Sequence, residues 1–136
     1  MILSINDNIL VNHLREHFAK CYPGLKIEFY KTKHKGKIDE KDVDLITANM
    51  PVGTIRKKGL SGDYKIYSFY SVSRVENELH DIYGLNAQVF RNENNAWIQT
   101  STTDHFTLAQ QMKMSRQATQ SITPMKKEQL DEYDAL

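Results

Sequence analysis

The chain carries one helix–glycine–strand pattern twice. Residues 9–31 read ILVNHLREHFAKCYPGLKIEFYK, and residues 70–91 read YSVSRVENELHDIYGLNAQVFR. Val11, Leu14, Phe18 and Cys21 superpose on Val72, Val75, Leu79 and Ile82, the apolar stripe of an amphipathic helix. With Pro23 as a one-residue insertion, Tyr22, Gly24 and Leu25 fall on Tyr83, Gly84 and Leu85. Phe29, Tyr30 and Lys31 then fall on Val89, Phe90 and Arg91. Each unit therefore predicts a helix stopped by a glycine and followed by a strand.

A strand also precedes each helix. Ile2, Leu3 and Ile5 form the first, with Asn6, Asp7 and Asn8 as N-cap candidates behind it. Tyr64, Ile66 and Ser68 alternate with Lys65, Tyr67 and Phe69 in the second. Ser73-x-x-Glu76 is a capping-box pattern for the second helix, with Ser71 an alternative cap. Asn92-Glu93-Asn94-Asn95 predicts a hairpin turn, since Asn tolerates positive φ. The return strand, 96–100, carries Trp97. Thr107-x-x-Gln110 opens a polar helix to about Arg116, and Thr123-Pro124 opens another. Residues 31–63 show no firm element beyond turn clusters at 49–53 and 59–63, although a short strand near 53–56 would fit.

Two βαβ units plus an extra hairpin strand predict an α+β fold of the ferredoxin-like split βαβ sandwich type. Both helices would lie on one face of a single, mostly antiparallel sheet. The second half alone also fits a ubiquitin-like β-grasp, the competing reading. Residues 1–116 read as one domain, and 117–136 as a polar, partly helical tail. An apolar sheet face bearing Ile27, Phe29, Val89 or Trp97 would suit a second subunit.

Composition excludes more than it selects. With 136 residues the chain is long enough for a core without staples, and a net charge of +1 gives no global pull towards nucleic acid or membrane. The charge is uneven. Residues 1–68 hold 12 Lys and Arg against 8 Asp and Glu, while residues 69–136 hold 6 against 9. The single Cys21 allows no intrachain disulfide, and its place on the helix stripe predicts a small buried hydrophobe. There is no apolar run long enough for a membrane span and no signal-peptide pattern at the start, so the expected location is the cytoplasm.

One stretch is similar to a known family. Gly84, Leu85, Gln88, Val89, Phe90 and Arg91, then Trp97 and Thr100, then Thr103, Asp104, Thr107, Leu108 and Gln111 resemble a family of small uncharacterised bacterial proteins. Its motifs run GLxxQVFR, a Trp strand, and TDxxTLxxQ. The likeness spans about residues 20–115. It implies a compact bacterial domain and brings no activity, substrate or cofactor with it.

Catalytic patterns are weak. His13 and His17 sit at i, i+4, but without an HExxH order the pair reads as a solvated helix face. Asp104-His105 lies among hydroxyls without a GxSxG elbow and reads as a turn before the Thr107 cap. The carboxylate pairs at 39–40, 42–44 and 131–132 sit in polar runs, and no phosphate-cradling glycine motif is present. No catalytic residue, metal or cofactor is expected. The strongest local feature is basic: Lys31, Lys33, His34, Lys35 and Lys37 in one run, and Arg56, Lys57 and Lys58 in a second. If the two runs meet, they form an anion or nucleic-acid patch, with Tyr30 or Tyr64 available to stack on bases. The bland reading is a lysine loop that guards a sheet edge. The sequence therefore favours a non-enzymatic protein–protein interaction module that self-associates. Its rival is a nucleic-acid-binding module built on the two basic runs.

Overall fold

The structure is a computed structural model that describes residues 1–33 and 44–122. In chain order it contains β1 (Ile2–Ile5), α1 (Val11–Cys21), β2 (Leu25–Tyr30), a 3-10 turn at Val52–Thr54, β3 (Gly62–Lys65), α2 (Val72–Asp81), β4 (Asn86–Glu93), β5 (Ala96–Gln99) and α3 (Leu108–Ile122). The class is α+β and every strand pair is antiparallel.

One sheet was expected and two are found. β1 pairs with β3 as a two-stranded ribbon, and β2–β4–β5 form a three-stranded sheet. The reason lies in β4. Its residues from Asn86 to Arg91 face Tyr30 to Leu25, and Phe90 to Glu93 face Gln99 to Ala96 on the other side. Both edges of β4 are thus occupied, and the first strands of the two units pair with each other instead. β3 is also earlier than its alternation suggested. Lys65 faces Ile2, and Ile66 N–H donates to the Met1 carbonyl, so the partner strand runs out there. Residues 67–70 then turn, with Tyr70 N–H donating to the Tyr67 carbonyl.

The two units make matching bonds. Leu3 faces Tyr64, 61 positions on, as Val72 is from Val11. Val11 N–H donates to the Met50 carbonyl at 2.9 Å, and Val72 N–H donates to the Phe106 carbonyl at 3.0 Å. Val52 N–H returns to the Ile9 carbonyl, and Leu108 N–H to the Tyr70 carbonyl. The N-termini of α1 and α2 are therefore each closed by a downstream segment that carries a wholly buried apolar residue, Val52 or Leu108. Helix N-termini leave backbone N–H groups without intrahelical acceptors, so these crossings meet a need that every helix has.

Capping follows from this arrangement. α1 begins after Leu10 with no side-chain cap of its own, and the Asn49 side chain accepts from Asn12 N–H at 3.0 Å. The Asn6 side chain instead holds the turn before it, accepting from Asn8 and Ile9. Ser71, not Ser73, caps α2 by accepting from Arg74 N–H. The Thr107–Gln110 box forms in both directions. α3 passes the expected stop at Arg116 and continues to Ile122, while the segment from Thr123 lies outside the described residues.

Leu3, Ile5, Val11, Leu14, Phe18, Ile27, Phe29, Val75, Leu79 and Val89 form the core, each at most 1% exposed. The last stripe positions depart from expectation. Cys21 is exposed, and its counterpart Ile82 is 37% exposed. Each helix ends at that point, and the next residue, Tyr22 or Tyr83, turns inward instead. Tyr22 donates to the Ile66 carbonyl, and burial pushes its phenol up to about 12.

A buried polar cluster fastens α3 to β4. Arg91 is 6% exposed, pairs with Glu93 and donates to the Gln111 side chain at 2.6 Å. Gln111 is fully buried and donates to Thr103. The Thr100 hydroxyl donates to the Val89 carbonyl, and the Ser115 hydroxyl to the Asn92 carbonyl. A buried charge that loses its partners is costly, and so is a partner left without its charge. Arg91→Leu should lower stability by about 3 kcal/mol. It would be read as a lower urea midpoint at unchanged slope. An unchanged midpoint would show that the cluster is not what holds α3.

Candidate functional site

The site is built outward from the end of β2. The Tyr30–Leu45 bridge continues β2 antiparallel to the returning chain. Lys31 N–H donates to the Asp44 carbonyl at 3.0 Å, and Ile46 N–H to the Phe29 carbonyl at 2.9 Å. Asn86 donates its amide to the Tyr30 and Lys31 carbonyls. The Thr32 hydroxyl bonds the Asp44 carboxylate. These bonds set the directions in which Lys31 and Lys33 leave the sheet. Arg15 supports the same wall from α1, bonding Glu28 at 2.9 Å, Asn12, and the Ile46 carbonyl.

The second basic run arrives by a different route. Leu60 N–H donates to the Ile82 carbonyl, which presses the 57–60 segment against the end of α2. The approach is so close that a Cβ on Gly84 would lie 1.8 Å from the Lys58 carbonyl oxygen. Gly84 also has φ +69, so only glycine meets both demands. Arg56 closes the joint. Its guanidinium donates to the Leu60 and Tyr83 carbonyls at 2.6 and 2.9 Å, to the Ser61 hydroxyl, and to Asp7. Its side chain is 4% exposed.

Between the two routes lies a cleft of about 730 Å3. Lys31, Lys33, Lys57 and Lys58 line it, with His80 from α2. Leu45, Ile46, Ala48, Met50 and Ile55 give it aliphatic walls. All four lysines are exposed, and none closes an ion pair among the described residues. His80 Nδ1 lies 2.9 Å from Asp81, whose carboxyl is held below its ordinary range by that contact, with Lys33 adding to the effect. A smaller hollow of about 290 Å3 shares Lys58, His80 and Gly84.

Of the residues named for an anion patch, five line this cleft. Lys31, Lys33, Lys57 and Lys58 come together. Arg56 also lines the cleft, but its donors are committed to the protein itself, so it acts as a strut. His34, Lys35 and Lys37 lie outside the described residues. Neither expected stacking ring is free. Tyr30 is 2% exposed and Tyr64 5%. Tyr64 donates to Glu78 at 2.9 Å, and burial followed by that bond pushes its phenol upward.

The weaker candidates separate. His13 and His17 stack at 6.4 Å along α1. No group of three or more His, Cys, Asp or Glu converges as a metal site among the described residues. The Asp104 carbonyl accepts from Ser73 N–H, while His105 is exposed and packs at a tilt against Phe106, with ring centroids 4.3 Å apart.

Sequence reasoning missed Glu76, which it read as a capping residue. Its carboxylate turns inward and accepts from Val89 N–H at 2.8 Å, the bond that ties α2 to β4. Burial pushes this carboxyl up to about 8, and nearby Asp104 adds to the rise against the Val89 bond. The four-residue spacing from Val72 and the three-residue spacing to Leu79, which place position 76 beside the stripe, were the available signal. Its ordinary value is 4.5. The folded state therefore holds this proton more tightly than the unfolded chain. Stability falls as pH rises from about 4.5 to about 8, and the penalty is complete above that. Glu76→Gln keeps an acceptor for Val89 and removes the charge. The variant should melt higher than the parent above pH 8, and the gap should close towards pH 5, as followed by circular dichroism.

No family model, no curated protein and no solved structure matches this chain.

Proposed function

We propose that this protein is a binding module for an anionic ligand, taken in the lysine-rimmed cleft. The observation that carries the reading is the meeting of two distant basic runs. Lys31 and Lys33 come from the end of β2, Lys57 and Lys58 from the segment behind α2, and all four line one cavity. Like charges placed together, with no salt bridge to a carboxylate among the described residues, raise the local potential. Such a site gains from a bound anion that neutralises it. The cavity volume falls within the roughly 300–1,000 Å3 range of small-molecule sites. Nucleic acid is the less supported version of this reading, because the tyrosines that would stack on bases are buried. The chain's uneven charge places the patch in its basic half, which also supports the assignment.

Calorimetric titration with inorganic pyrophosphate tests it. Binding should weaken as salt is raised, since exposed charges are screened. Lys57→Glu with Lys58→Glu should weaken binding at least about tenfold, with an unchanged melting temperature. Equal affinity in parent and variant would overturn the reading.

A second reading, protein association with a further copy of the chain, is supported by one feature of the β3–α2 turn. Phe69 is 68% exposed and Tyr67 46%, and their rings stack at 5.2 Å. Tyr70 packs on both, with the Arg74 guanidinium 3.7 Å above it. Exposed aromatic clusters flanked by arginine have the composition of interface centres. Sedimentation of the concentrated protein should show a dimer that Phe69→Glu converts to monomer. A monomeric parent would remove this reading. The matched bonds of the two βαβ units also support reading them as an internal duplication.

A further inference from the structure

We infer that the ligand of the lysine-rimmed cleft is an amphiphilic anion: a phosphate or carboxylate head on an aliphatic chain. The inference rests on the anion-binding reading above and goes on to name the rest of the molecule. Three observations carry it.

The first is the composition of the walls. Leu45, Ile46, Met50 and Ile55 line the cleft with the lysines, and among the described lining residues the His80 imidazole is the one ring. An aliphatic surface offers dispersion and burial to a hydrocarbon, whereas a nucleobase is held best by stacking on rings.

The second is how the neutral polar groups are used. Base edges and sugar hydroxyls are recognised by side-chain amides and hydroxyls that remain free to bond them. Here the Asn86 amide is spent on the Tyr30 and Lys31 carbonyls, the Thr54 hydroxyl on the Pro51 carbonyl, and the Thr32 hydroxyl on Asp44, which leaves the exposed Thr47 hydroxyl as the exception. Apart from Thr47 and His80, the described lining therefore presents a guest with exposed lysine ammonium groups and with more deeply covered hydrocarbon.

The third is the reach of the lysines. Their four-carbon stems can lie along apolar surface while the ammonium stays in water. Charge at the rim and carbon in the walls match a guest with its charge at one end. A fully charged guest, such as a bare polyphosphate, would leave the aliphatic walls unused.

The test is calorimetric titration of the full chain with inorganic phosphate, ethyl phosphate, octyl phosphate and octyl glucoside. Octyl phosphate should bind at least about tenfold more tightly than ethyl phosphate, because each buried methylene adds about 0.8 kcal/mol when fully covered. Lys57→Glu with Lys58→Glu should remove most of that affinity. Octyl glucoside, with the same chain and no charge, should bind at least about tenfold more weakly than octyl phosphate.

If the three phosphates bind equally and in a salt-dependent way, the amphiphile inference is overturned and the anion-binding reading stands. If none of them binds, both are overturned. If octyl glucoside matches octyl phosphate, the head-group assignment is overturned. Co-sedimentation with phosphatidylcholine vesicles containing phosphatidic acid then separates two sources of the same chemistry. Capture that the double variant loses assigns a lipid in a bilayer. Octyl phosphate binding without capture assigns a free amphiphile.

Discussion

The pairing of β2 with β4 is the contact on which the rest of the molecule depends. It joins the second strand of one βαβ unit to the second strand of the other, through six facing positions from Leu25–Arg91 to Tyr30–Asn86. It places Leu25, Ile27, Phe29 and Val89 on one surface, all at most 1% exposed. Val89 links further elements, since its N–H is held by Glu76 of α2 and its carbonyl by Thr100 after β5. Arg91 on the same strand reaches Gln111 of α3. With its other edge taken by β5, β4 is a central strand, and the two first strands are left to pair on their own.

The cleft is a consequence of the same frame. The end of β2 and the start of β4 are bound together by Asn86, which fixes where Lys31 departs. The end of α2 receives Lys58 only because Gly59 and Gly84 let two backbones touch there. Arg56 then satisfies carbonyls on both sides of that contact. A charged side chain that is almost fully covered holds two exposed ones in place. This division of labour among three neighbouring basic residues is a matter of burial, and nothing in the string RKK distinguishes them.

Several features were legible in the chain because they rest on local chemistry. The apolar spacing of Leu14, Phe18, Val75 and Leu79 located both helices, since a helix buries one stripe. Asn94 and Asn95 located the hairpin and adopt φ of 57° and 67°, angles that asparagine accepts more readily than most residues. The Thr107–Gln110 box marked the start of α3, because both of its bonds lie within four residues. Other features were not legible. The spacing of Glu76 from Ser73 suits a cap, yet a half-buried position beside Val89 offers it a partner 13 residues away. Periodicity places Cys21 in the core, but the helix ends at it.

By itself the sequence determined the order of elements, the buried stripes and the presence of two basic runs, because these follow from side-chain type at short spacing. Tertiary structure alone decided that the strands divide into two sheets, since partner choice depends on which edges remain open. It also decided which cations are committed to the protein and which stay exposed, because that depends on carbonyls such as Tyr83 and Leu60 brought from elsewhere in the chain. The burial of Tyr30 and Tyr64 was decided the same way, and with it the character of the cleft: lysine at the rim, aliphatic carbon in the walls.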